Sequence, residues 1–125
     1  MLHIPATKST PEIFYSEENQ TLSIIGESYP ENTFAFFEPV FDWLSKSLPG
    51  MKKLHLHVNI SYMNSSSTKC MLDILDLFAA ASEKGTIVSV SWYYDRENER
   101  AFEIAEEFEE DAEIPFEIIA YEQAP

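Results

Sequence analysis

A two-layer α/β fold, with a mixed β-sheet and its helices mainly on one face, is what this sequence predicts, and three observations carry that prediction. Apolar and polar residues alternate along "KKLHLHVNISYM" and "TIVSVSWYYD", as they do in strands with one dry face. Longer segments between them repeat apolar residues at helical spacing. The polar rows His55, His57, Asn59, Ser61, Ser89 and Ser91 leave one side of the sheet open. A doubly wound sheet covered on both faces would instead show nearly continuous Val, Ile and Leu strands.

The elements follow in order. Residues 12–16 and 20–27 are two short β-prone runs around "EEN", an antiparallel hairpin with a polar turn. "SYPENTFAFFEPVFDWLSKSLPG" opens with Pro30 and the capping candidates Ser28 and Asn32 and closes at Pro49 and Gly50, so it is read as helix. Pro39 removes one backbone donor inside it and is expected to kink or divide it. The next strand places Leu54, Leu56, Val58, Ile60 and Tyr62 on its dry face. A second helix covers residues 66–84, with Met71, Ile74, Leu75 and Phe78 in register and Gly85 as its C-terminal cap. A strand with Val88, Val90 and Trp92 inward comes next, then an acidic helix over residues 97–110 with Phe102, Ala105 and Phe108 facing the core, and a last strand over 115–121. The order is β-β-α-β-α-β-α-β, and strands separated by helical crossovers are expected to be parallel.

Residues 1–125 are the size of one domain, and 45% hydrophobic residues can bury a core without disulfides or metal. Eight basic against 22 acidic residues give a net charge of -14, which repels nucleic acid and anionic membranes and favours a protein partner with a basic patch. The lone Cys70 has no partner within the chain and sits in an apolar helical run, the pattern of an inert thiol in a reducing cytoplasm. No secretory leader or run of 18 apolar residues is read in the chain, so membrane insertion is not expected. The free protein is expected to be a monomer.

Loops after parallel strands gather at the carboxyl ends of the strands, where ligand sites form in open α/β sheets. Three meet there by this reading: "ESYPEN", "NSSSTK" and "DRENER". Ser65, Ser66 and Ser67 stand at a helix start, where one hydroxyl can serve as the cap, worth about 1 kcal/mol. The remaining hydroxyls lie beside the positive end of the helix. A phosphoryl group there would meet free amides, with Lys69 four residues beyond Ser65. Capping plus solvent exposure is the plainer reading of the run, regulatory phosphorylation the sharper one. Nucleophilic catalysis lacks its motifs, since no G-x-S-x-G elbow or S-x-x-K with partner motifs is present.

Other residues carry paired readings. His55 and His57 share a strand face but have no third ligand at metal spacing, so they read as ordinary open-face residues. Arg96 and Arg100 stand one helical turn apart, either ion-paired at the surface or turned towards a phosphate on the Ser65 edge. The carboxylates of the acidic helix, Glu103 to Glu110, form a solvated face. Tyr29, Trp92, Tyr93 and Tyr94 serve either the core or an interface. Leu77, off the main apolar stripe of its helix, is extra core or a partner contact. The candidate partner-binding residues are Tyr29, Asn32, Asn64, Ser66, Lys69, Leu77, Arg96 and Arg100.

Several long segments in order, "LHIPATKSTPEI", "GESYPEN", "YMNSSSTKCMLDILDLF", "WYYDRENERAFEIAEEFEED" and "IPFEI", make the chain resemble the SiaC family of bacterial regulatory phosphoproteins, whose fold is like that of the STAS-domain anti-sigma-factor antagonists. The resemblance implies a partner switch without enzymatic activity or cofactor. A serine/threonine kinase phosphorylates the protein, a metal-dependent phosphatase reverses this, and the unmodified form activates a diguanylate cyclase, with control of cyclic di-GMP and biofilm formation. The family's modified residue follows the asparagine of Y-x-N-[ST]-S-S, which here is Ser65 after Asn64, with Ser66, Ser67 and Thr68 as rival acceptors. An anti-sigma-factor antagonist using the same serine, and a small hydrolase or ligand-binding domain using the same edge, are the alternatives.

Overall fold

The computed structural model describes residues 2–122. The strands are β1 (His3–Ile4), β2 (Glu12–Ser16), β3 (Thr21–Ser28), β4 (Lys53–Met63), β5 (Ile87–Asp95) and β6 (Phe116–Tyr121), and the helices are α1 (Thr33–Ser47), α2 (Ser65–Glu83) and α3 (Glu99–Asp111). They form one six-stranded sheet in sequential order, β1 to β3 antiparallel and β3 to β6 parallel. The expected order holds. The two-residue β1 is an addition that no sequence pattern announces, held to β2 by the pairs His3–Phe14 and Ile4–Ile13.

The sequential order explains the layering. Each parallel step moves one strand over in the same direction, so three right-handed crossovers put all three helices on one face. Burial follows that rule. Leu22, Ile24, Leu54, Leu56, Val58, Val88, Val90 and Trp92 are buried beneath Phe37, Val40 and Leu44 of α1, Met71, Ile74 and Phe78 of α2, and Ala105 and Phe108 of α3. Each fully buried large apolar side chain contributes roughly 1.5–3 kcal/mol.

The other face carries the row Phe14, Ser23, His57, Ser91 and Glu117 in register across β2 to β6. Its polar groups partner one another. His55 Nδ1 lies 2.6 Å from Ser89 Oγ, the His57 ring stacks on Tyr93 at 4.6 Å, and Tyr121 donates to Asn59 Oδ1 at 3.2 Å. The neutral imidazoles suit these half-buried places, and burial pushes both histidines below their ordinary pKa, helped at His55 by the charges of His57 and Lys53.

Two expectations about elements are revised. Pro39 leaves α1 continuous because it sits on the exposed side of the helix, where the carbonyl it leaves unpaired can reach water. In β4 the register shifts opposite Gly26 and Glu27: Gly26 pairs Ile60, but Glu27 pairs Tyr62, so Ser61 is one residue extra. This bulge reverses the alternation beyond it. Met63 turns inward and Tyr62, expected on the dry face, points out at 54% exposure. Gly26 has φ of +129°, and a Cβ there would come within 3.3 Å of the Pro11 Cα, so the bend requires glycine.

Candidate functional site

The carboxyl ends of β3, β4 and β5 lead directly into the starts of α1, α2 and α3, so the three helices present their N-termini at one edge of the sheet. The same chemistry caps all three. Asn32, Asn64 and Asn98 accept hydrogen bonds from the amides of Ala35, Ser67 and Ala101 at 3.1, 2.9 and 3.0 Å. Of the two capping candidates for α1, Asn32 does the work, while Ser28 lies buried at the end of β3.

This changes the reading of the hydroxyl run. Asn64 caps α2, so no serine is needed as a cap, and Ser65, Ser66 and Ser67 are its first three helical residues. The helix then sorts the hydroxyls by direction. Ser65 and Ser66 point to solvent. Ser67 turns inward with no exposure, and its Oγ pairs with Ser28 Oγ at 2.7 Å across a buried contact. Thr68 is half-buried and donates to the Asn64 carbonyl at 3.2 Å. The geometry therefore removes Ser67 from the set of accessible acceptors, because its oxygen is sealed beneath β3. Ser65, at the first helical position, has both an exposed hydroxyl and the uncapped amides of the first turn beside it.

Backbone bonds hold this edge together. The Asn64 amide donates to the Ser28 carbonyl at 2.9 Å, and Asn98 Nδ2 donates at 3.3 Å to the carbonyl of the bulged Ser61. The Tyr29 amide and hydroxyl bond the carbonyls of Ser9 and Lys8, which ties the "ATKST" segment to the same edge. Tyr29 meets Tyr62 edge-to-face at 5.9 Å. Phe34, in the first turn of α1, is 60% exposed, and Phe102, expected in the core, is exposed against Tyr94. Ala101 takes the inward place in α3 instead.

The structure thus brings Tyr29, Asn32, Asn64, Ser65, Ser66 and Lys69 to one end of the molecule. Lys69 is exposed one turn beyond Ser65. Leu77 is not there. It lies twelve residues along α2 from Ser65, about 18 Å at 1.5 Å per residue, and lines a groove with Leu44 at the opposite end. Arg96 and Arg100 do not share a helical face, because α3 begins at Glu99 and Arg96 sits in the turn before it. Their guanidiniums pair with Glu122 at 3.0 Å and Glu103 at 3.2 Å, both exposed. Sequence reasoning missed Phe34 and the outward turn of Tyr62. Phe34 falls outside the buried stripe Thr33, Phe37, Val40 and Leu44, the signal that singled out Leu77.

Among the described residues of this edge, no nucleophile stands beside a base. His55 and His57 stand on the open face of β4, with His57 six residue steps, about 20 Å, from the strand's end at Met63. Cys70 is buried in α2, and burial raises its thiol pKa, followed by the effect of the Asp73 carboxylate. No helix of the described residues is long and apolar enough to cross a membrane.

Known proteins resemble the chain along nearly its whole length. The SiaC family of regulatory phosphoproteins matches residues 4–121. A protein of Pseudomonas aeruginosa strain UCBPP-PA14 is 47% identical over 123 residues, 98% of either chain. Among solved structures, SiaC from Pseudomonas aeruginosa, the activator in a crystal structure with the diguanylate cyclase SiaD, superposes with a TM-score of 0.91 at 47% identity over 97% of this chain and 100% of that one. Apo-SiaC from the same organism superposes with a TM-score of 0.88 at 45% identity, covering 95% and 98% of the two chains.

Proposed function

Because the chain belongs to the SiaC family of regulatory phosphoproteins, we propose that it is a cytoplasmic partner-switching protein that binds and activates a diguanylate cyclase when unmodified and releases it when Ser65 is phosphorylated. It acts by binding and not by catalysis. A serine/threonine kinase adds the phosphate and a metal-dependent phosphatase removes it.

The observation that carries this reading is the position of Ser65. Its hydroxyl is exposed at the first turn of α2, in the edge that also presents Tyr29, Phe34 and Tyr62. Exposed aromatics of this kind supply large contact area at low entropic cost, as interface hot spots do. Unmodified, the serine is small and neutral and lets a partner close over the patch. A phosphate brings about -1.5 to -2 charges into the middle of it, and that dianion must be either desolvated or paired by the partner. In the free protein the same dianion is well placed, beside the helix N-terminus and within reach of Lys69. Phosphorylation thus stabilises the free state and penalises the bound one, and both effects push the equilibrium towards release. Asn32, Asn64 and Ser66 hold or flank this surface in the reading.

The likeness to an activator solved with its cyclase supports the cyclase as target over an anti-sigma factor. Incubation with the cognate kinase and mapping of the product tests the site. One phosphate on Ser65, absent in Ser65→Ala, is expected; a phosphate mapped to Ser66 or Thr68 with Ser65 untouched overturns the assignment.

A further inference from the structure

The groove at the far end of α2 is a second place that packing leaves open. It encloses about 640 Å³, within the roughly 300–1,000 Å³ typical of small-molecule sites. Leu44 of α1, Leu48 just past its end, Leu77 and Ala81 of α2, Met51 and Ile87 supply its walls. Ile87 opens β5 at 67% exposure, an unusual place for a large aliphatic side chain. The polar groups of the surrounding chain are already spent: Thr86 Oγ1 donates to the Met51 carbonyl, the Ile87 amide to the Lys52 carbonyl, and the Thr86 amide to the Ala81 carbonyl. The interior therefore offers an apolar surface and few hydrogen bonds.

Charge says what kind of molecule suits it. Lys52 and Lys84 stand at the groove and no acidic side chain among the described residues lines it, whereas nearby Lys46 is paired with Asp42 at 3.1 Å and Lys53 lies on the open face of β4 with His55. Two lysines without a neighbouring carboxylate in the lining stand out in a chain with eight basic and 22 acidic residues. A neutral apolar ligand has no use for them, and a cation would be repelled. An anionic head attached to an apolar body uses both features.

We propose that this groove binds a fatty carboxylate, its chain against Leu48, Leu77 and Ile87 and its head group between Lys52 and Lys84. Lysine stems lie along apolar surface with their ammonium groups in water, which matches such a boundary. The site is separate from the Ser65 edge and stands whether or not Ser65 is the modified residue.

Dodecanoate titrated below its micelle concentration into the full chain, followed by NMR and calorimetry, tests the proposal. Saturable shifts at Leu77 and Ile87 are expected, with dodecanol and the Lys52→Gln/Lys84→Gln double variant each binding about tenfold or more weakly. Ala80→Trp, at an exposed position on the groove wall, fills the space and abolishes binding, and Ile87→Ser, which removes apolar wall contact, weakens binding and stands in if the tryptophan variant fails to fold. Shifts confined to the Ser65 edge, equal binding of dodecanol and dodecanoate, or unchanged affinity in both wall variants overturns it. Loss of cyclase binding in the wall variants without any dodecanoate binding also overturns it, in favour of a protein occupant.

Discussion

The two ends of α2 are built from opposite materials. At one end the helix begins with hydroxyls, an asparagine cap and a surrounding patch of exposed aromatics; at the other it ends in an aliphatic groove rimmed by lysines. Between them Cys70, Met71, Ile74, Leu75 and Phe78 are all buried. The contrast teaches where the helix gets its stability. The buried middle anchors it to the sheet, so the outward-facing residues of the first and last turns are free to carry chemistry that contributes little to folding.

Substitutions along α2 sharpen or break that division. Phe78→Ala, in the middle, is expected to cost about 3–5 kcal/mol in urea unfolding, through lost burial and the cavity it leaves. Ser67→Asp buries a charge against Ser28 and is expected to cost about 3 kcal/mol or more, whereas Ser65→Asp, two residues earlier, changes stability by less than about 1 kcal/mol and in the stabilising direction, because the carboxylate sits at the positive helix end. Equal costs for these two aspartates would dissolve the distinction between exposed and sealed serines. Asn64→Ala removes the cap and is expected to cost about 1 kcal/mol.

The smallest effect belongs to the sheet face that neither end uses. The folded pKa values of His55 and His57 lie below the ordinary 6.5, so the unfolded chain takes up protons first. Their influence is absent above pH 6.5 and lowers stability as the pH falls from there towards the folded values. Chemical unfolding at a series of pH values should show that loss, and His57→Gln should flatten it.

Much of this was legible in the residues. Alternation in β4 and β5 and the helical stripes exposed a core, and the polar row from His55 to Ser91 identified the open face, because period and burial are tied directly to geometry. What escaped depends on contacts distant in sequence. The bulge that turns Tyr62 outward is set by pairing with β3, and local alternation carries no sign of it. In the run Asn64-Ser65-Ser66-Ser67 every residue is a competent cap, and only the point where β4 ends decides that Asn64 takes the role. Once that is settled, the 100° step of the helix determines that Ser67 faces inward while Ser65 and Ser66 face water. The spacing of Arg96 and Arg100 predicts one shared face, and this fails because the helix starts three residues after Arg96.

The central claim is that a phosphate on residue 65 expels the cyclase. Titrating the target diguanylate cyclase with unmodified protein and with protein stoichiometrically phosphorylated on Ser65, while following both binding and synthesis of cyclic di-GMP, tests it directly. The account predicts at least about tenfold weaker binding and loss of activation for the phosphorylated form; equal affinity and equal activation by the two forms would contradict it.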